Sequence, residues 1–169
     1  MIAEAIPEWL DKYCKKISKL GVFEENVPNH ILINEYLPKQ GIMPHVDGPM
    51  YYPTVTTISL GSHTLLDFYK PLNSDAESTE RSDERYVFSL LLEPKSLLVL
   101  QDDMYKVYLH GIRELSEDVL TKDSKILNYE HLNEDPTKLE RQTRVSLTIR
   151  FVPKILKLNS SNFLFTKKK

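Results

Sequence analysis

The chain has 169 residues, 41% of them hydrophobic and 27% charged, with a formal net charge of −2. This suits one soluble globular domain over residues 1–169, and the near-neutral balance argues against a broad phosphate-binding surface, which needs clustered Lys and Arg. No apolar run reaches bilayer length, residues 1–5 lack the basic segment of a secretory signal, and the single cysteine, Cys14, excludes an internal disulfide.

A monomer in a reducing compartment, cytoplasm and nucleus, with no membrane partner, is therefore the expectation. Along the chain, Ile6, Trp9, Leu10, Tyr13, Ile17 and Leu20 recur at helical spacing and predict an amphipathic helix over residues 7–20. Pro7 suits its first turn and Gly21 its stop. Lys12, Lys15, Lys16 and Lys19, like Lys167, Lys168 and Lys169 at the other end, read as solvated charge, with a nucleic-acid contact as the rival. From His30 the pattern turns to β. Residues 31–36 are rich in strand formers and stop at Pro38 and Gly41. Residues 54–60 alternate with period two, and Gly61-Ser62 reads as the turn of a hairpin into residues 63–69. Residues 86–92 and 96–101 are two more strands, residues 105–110 a short one, and residues 144–152 the last. Residues 72–85 and 114–143 are polar and aperiodic and read as surface loops, the second with a helical turn at most. Many short strands with one flanking N-terminal helix predict a mainly β fold of the jelly-roll kind.

The mouth of such a barrel can gather residues far apart in sequence. His45 and Asp47 form a His-x-Asp pair, and His110 closes the apolar run Val107-Tyr108-Leu109. On extended backbone alternate side chains share a face, so His45 and Asp47 can reach one ion. Two imidazoles and one carboxylate can hold one face of a ferrous ion and leave the opposite positions open. Plainer alternatives exist: Asp47-Gly48-Pro49 is turn-like, a histidine closing an apolar run is often structural, and His63 is the rival ligand, ahead of His30 and His131.

Arg144 and Arg150 lie six apart on an alternating segment, with Ser146 and Thr148 between them on one face and Val145, Leu147 and Ile149 on the other. On an edge strand the arginine face would meet solvent. Turned inward, two unpaired guanidiniums would demand an anion, and a dicarboxylate satisfies both. Asn34 and Tyr36 share a strand face and can add an amide and a phenol to that anion.

Together, Asn34-Glu35-Tyr36, His45-Val46-Asp47, His110 and Arg144-x-Ser146-x-Thr148-x-Arg150 resemble the AlkB family of iron(II)/2-oxoglutarate dioxygenases, over roughly residues 5–155. The resemblance implies a double-stranded β-helix, which is a jelly roll. It implies Fe(II) held by His45, Asp47 and His110. It implies 2-oxoglutarate held at its distal carboxylate by Arg144 and Tyr36 and at the carboxylate beside the keto group by Arg150 and Asn34. Leu32, Ser146 and Thr148 would belong to the same pocket. With O2 as second co-substrate, 2-oxoglutarate would go to succinate and CO2 while a C–H bond, often of an N-methyl group, is hydroxylated and formaldehyde leaves.

The chain departs from the family's pattern at two positions. Ser146 stands where the DNA-repair members have Asn, and Pro49 where the bacterial repair enzyme has an acidic residue facing the base. The iron chemistry is expected to survive both, the base-repair specificity not to carry over. The family's nucleotide-recognition lid lies upstream of the Asn-x-Tyr strand, and with 33 residues ahead of Asn34 little of it is expected here. The expected function is hydroxylation or demethylation of a nucleic-acid or protein substrate; the rival is a binding module that keeps the barrel without turnover.

Overall fold

β-Branched and aromatic residues dominate from His30 onward, and strands dominate the structure. The computed structural model describes residues 4–71, 82–129 and 137–154. In chain order these form α1 (Glu8–Ser18), β1 (His30–Tyr36), β2 (Ile42–His45), β3 (Thr54–Gly61), β4 (Thr64–Tyr69), α2 (Ser82–Arg85), β5 (Tyr86–Leu92), β6 (Leu97–Gln101), α3 (Asp102–Lys106), β7 (Leu109–Ile112), β8 (Glu117–Leu120), β9 (Thr137–Glu140) and β10 (Arg144–Arg150). Two four-stranded antiparallel sheets face one another, in the orders β1-β10-β3-β6 and β2-β7-β4-β5, and β8 and β9 pair separately. The jelly roll with an N-terminal flanking helix is therefore present.

The core follows from the alternation of each strand. Val55, Leu66, Phe68, Leu92, Leu100 and Ile112 meet between the sheets, with Phe68 stacked on Phe88 at a ring separation of 4.8 Å. The outer face of β10 is apolar too, and Ile149, fully buried, packs with Cys14 and Ile17 of α1 and with Phe23. The helix thus lies on the outside of the first sheet, as its periodicity predicts, but the stripe differs in detail. Cys14 is buried, whereas Trp9 and Leu20 are exposed.

Four expectations are corrected. Residues 54–60 and 63–69 do not form a hairpin: β3 pairs with β10 and β6, β4 with β5 and β7. Gly61, at φ +80°, carries the chain across from one sheet to the other, and the corner is tied down by the Ser62 N–H donating to Thr143 O at 3.1 Å and the Gln142 N–H to Ser62 Oγ at 2.9 Å. Tyr105 belongs to the short helix α3, favoured by Asp102 and Asp103 in its first turn and Lys106 in its last, and the strand begins at Leu109. Within residues 114–143, β8 and β9 pair, and Leu120 and Ile126 are buried with Leu65 and Leu91. Two strands of four residues are too short to show periodicity. Of the other expected loop, residues 82–85 form α2, while residues 72–81, His131 and Lys167 to Lys169 lie outside the described residues.

Truncating Ile149 to Ala removes the contact that fixes α1 to the sheet and should cost about 2–5 kcal/mol in urea denaturation. A loss under about 0.5 kcal/mol would show that α1 is not held there.

Candidate active site

The ladder between β2 and β7 sets His45 directly opposite His110, and their rings lie 4.6 Å apart. The close approach needs Gly111, where a Cβ would come within 2.9 Å of Ile42 O. His45 Nδ1 sits 2.8 Å from Met43 O. A ring nitrogen facing a carbonyl must carry the proton, so Nε2 keeps its lone pair free. Asp47 follows two residues on, with Oδ2 at 3.6 Å from His110 Nε2. Its loop is pinned where the Tyr105 hydroxyl donates to Gly48 O at 2.8 Å. Burial pushes His110 down to about 4, outweighing the Asp47 carboxylate, which acts upward. The ring is therefore neutral at physiological pH, the form a metal binds.

On the facing sheet, β10 turns Arg144, Ser146, Thr148 and Arg150 inward. Its register with β1 sets Tyr36 opposite Arg144, Asn34 opposite Ser146 and Leu32 opposite Thr148. β10 lies between β1 and β3 and is not an edge. Arg144 NH2 donates to Ser59 Oγ at 2.9 Å, and its guanidinium lies 5.6 Å from the Tyr36 ring centroid. Burial lowers it to about 10. Arg150 is ion-paired with Asp47 and lies under the Tyr51 ring at 4.7 Å. The Nε of each arginine is buried without a hydrogen-bond partner. Six residues of strand separate the two by about 20 Å along the backbone.

Between the sheets opens a cavity of about 90 Å³, and all ten candidate residues, Leu32, Ser146 and Thr148 included, line it. The rival histidines among the described residues, His63 and His30, do not. His63 Nε2 is 3.3 Å from Asp118, a carboxylate that also takes two hydrogen bonds from Arg141. His30 packs against Tyr51 at 5.5 Å. Among the described residues no three His, Cys, Asp or Glu side chains already form a closed ligand set, and Asp47 is paired with Arg150.

A family model described as the 2OG-Fe(II) oxygenase superfamily matches residues 2–150. The chain belongs to that superfamily, and within it to the AlkB family. It is 57% identical over 162 residues to a Danio rerio protein named "Probable RNA/DNA demethylase ALKBH6", covering 94% of this chain and 68% of that one. It is 29% identical to the uncharacterized protein L905 of Acanthamoeba polyphaga mimivirus, covering 99% and 68%. A solved structure of OsALKBH1 shares the fold, with a TM-score of 0.51, 18% identity and coverage of 87% and 65%. The chain thus spans about two thirds of these relatives' length.

A 2OG-Fe(II) oxygenase is an oxidoreductase that uses Fe(II), with 2-oxoglutarate and O2 as co-substrates. The residues present fit that requirement. Two imidazoles and a carboxylate are a suitable donor set for Fe(II), and two buried arginines with unmet N–H groups suit a dianion. Three residues of the site were not singled out from sequence: Ser59, Tyr51 and Tyr105. Ser59 lies opposite Ser146 across β3 and β10. The alternation of residues 54–60 gave its parity, but not which strand it would pair with.

The depressed His110 fixes a sign. Its unfolded value, 6.5, lies above its folded one, so its contribution to stability is full above pH 6.5 and is lost as pH falls toward 4, by at most about 1.4 kcal/mol per pH unit. The stability advantage of wild type over His110→Gln, read from urea midpoints at pH 7.5, 6 and 5, should shrink as pH falls. An advantage that stays constant would refute the depressed value.

Proposed function

We propose that this chain binds Fe(II) through His45, Asp47 and His110 and 2-oxoglutarate through Arg144, Arg150, Asn34 and Tyr36, and that it oxidises a C–H bond, such as that of an N-methyl group, on a nucleic acid. The observation that carries the reading is the convergence, in one cavity, of the cross-strand pair His45 and His110, the Asp47 carboxylate and the two buried arginines.

Bound iron with 2-oxoglutarate and O2 supplies the oxidising equivalent; the chain supplies position and exclusion of water. His45, its proton held on Nδ1, offers Nε2, and His110 offers a ring kept neutral by burial. The Arg144 guanidinium, oriented by Ser59 and the Tyr36 ring, takes the distal carboxylate, where Tyr36 adds its hydroxyl. Arg150 and Asn34 take the carboxylate beside the keto group. Leu32, Leu98 and Leu100 line the cavity between and keep the charge pairs in a low dielectric, where they are strong. Ser146 leaves more room than the Asn of the repair enzymes, and Thr148 stands beside it on the same face.

Nucleic acid is favoured as substrate by the name of the Danio rerio relative and by those of others, such as the Xenopus tropicalis tRNA (carboxymethyluridine(34)-5-O)-methyltransferase alkbh8, 27% identical over 150 residues but matched over only 22% of its length. The net charge of −2 favours the second reading, hydroxylation of a protein side chain. In both, the protein acts as a monomer in the cytoplasm and nucleus.

Iron-loaded protein should convert 2-oxoglutarate to succinate in the presence of methylated RNA or DNA oligonucleotides. His45→Ala and Asp47→Ala should abolish turnover, and Arg144→Met should raise the KM for 2-oxoglutarate at least tenfold, the loss of a charge-assisted pair of about 1.5–3 kcal/mol. Wild-type turnover unchanged in Asp47→Ala would sink the metal assignment. Oligonucleotide affinity that does not weaken steeply with salt would shift the substrate to protein.

A further inference from the structure

Arg150 is the more exposed to competing interactions of the two arginines, because a carboxylate of the proposed metal site lies directly beside it. Its guanidinium edge meets Asp47. Its face is covered by the Tyr51 ring, at 4.7 Å from the centroid. Tyr51 is itself backed by the His30 ring at 5.5 Å, and His30 is the residue opposite Arg150 in the β1–β10 ladder. Burial and the nearby Arg150 cation lower the His30 pKa, so that ring adds no charge of its own. The loop that carries Tyr51 is anchored three residues earlier, where Tyr105 donates to Gly48 O. An aromatic face over a desolvated guanidinium attracts it through the ring quadrupole and restricts its plane.

We propose that Tyr51 is a positioning residue for co-substrate binding. Its ring fixes the plane of Arg150 so that the buried Nε side of the fork, which has no protein partner, is presented to the carboxylate of 2-oxoglutarate. The proposal rests on the reading of Arg150 as a co-substrate ligand. Without the ring the guanidinium is free to turn fully toward Asp47, and the affinity for 2-oxoglutarate falls. The ring matters through its electron-rich face, not its hydroxyl.

The test is calorimetric titration of 2-oxoglutarate into protein loaded with Mn(II), a redox-inert stand-in for iron, so that binding is read without turnover. Tyr51→Leu should weaken binding about 10- to 30-fold, the size of a desolvated cation–π contact, while Tyr51→Phe stays within about threefold of wild type. A series of progressively fluorinated phenylalanines at position 51, which drains the ring face at nearly constant shape, should raise log Kd stepwise. A purely structural tyrosine would not respond in that way, and the series remains informative if Tyr51→Leu does not fold. Arg150→Met serves as the reference. If it weakens binding while Tyr51→Leu and the fluorinated series do not, the positioning role is overturned and the co-substrate assignment stands. If neither Arg150→Met nor Tyr51→Leu changes binding, or wild type does not bind at all, the co-substrate assignment falls and this inference falls with it.

Discussion

Of the three arginines buried among the described residues, Arg141 is matched by Asp118, while Arg144 and Arg150, 4% and 8% exposed, stand at the two ends of one central strand. Arginine rarely escapes such burial by losing its proton, so each must be matched by dipoles, rings or anions in place. Much of the architecture answers that constraint. The strand that carries them lies between β1 and β3, so that neighbours on both sides can supply partners. From β3 comes the Ser59 hydroxyl, and from β1 come Tyr36 and Asn34 in direct register. The opposite face of β10 is apolar and is sealed by α1, which prevents water from reaching the arginines from behind. What the protein leaves unmet, one Nε on each side chain, is what a small dianion would fill.

The sequence made part of this legible and hid the rest for physical reasons. Period-two alternation in residues 144–150 sorted Arg144, Ser146, Thr148 and Arg150 from Val145, Leu147 and Ile149, and the sorting holds because pleating fixes it locally. His45 and Asp47 likewise share a face through local geometry. Pairing is not local. Gly61-Ser62 looks like a hairpin turn, yet it is a corner between sheets, since the choice depends on what β3 and β4 find on their far sides. For the same reason Ser59 could be given a parity but no partner. Tyr51 was invisible because its role depends on a loop, between Asp47 and Thr54, whose path no periodicity describes.

The facing sheet supplies the complementary half. His45 and His110 meet because β2 and β7 are antiparallel neighbours whose register sets them opposite one another, and Gly111 lets the two backbones approach closely enough. β7 lies between β2 and β4, so the backbone that carries His110 is held on both sides, whereas β2 is the edge of its sheet. Phe68, fully buried, stands 6.4 Å from His110 and is itself its ladder partner on β4. Asp47 is the exception, since it comes from the loop after β2. Its orientation is set by Tyr105 holding Gly48 and by whichever cation lies nearest.

The residues that line the cavity and those at the surface are held in different ways. The candidate ligand set lies deep between two sheets, and each of its members is fixed by a ladder, an ion pair or a buried core. The rim is different. Met43 on β2 is 83% exposed, and Val46, Met50 and Leu37 are exposed too. None of these four side chains lines the cavity, so substitutions among them change the surface without altering the cavity wall, which includes His45, His110 and Arg144. The family departure at Ser146 belongs to the interior. There the shortened side chain lies between Asn34 on β1 and Ser59 on β3, two polar neighbours that can take up the hydrogen bond which a longer amide would have made.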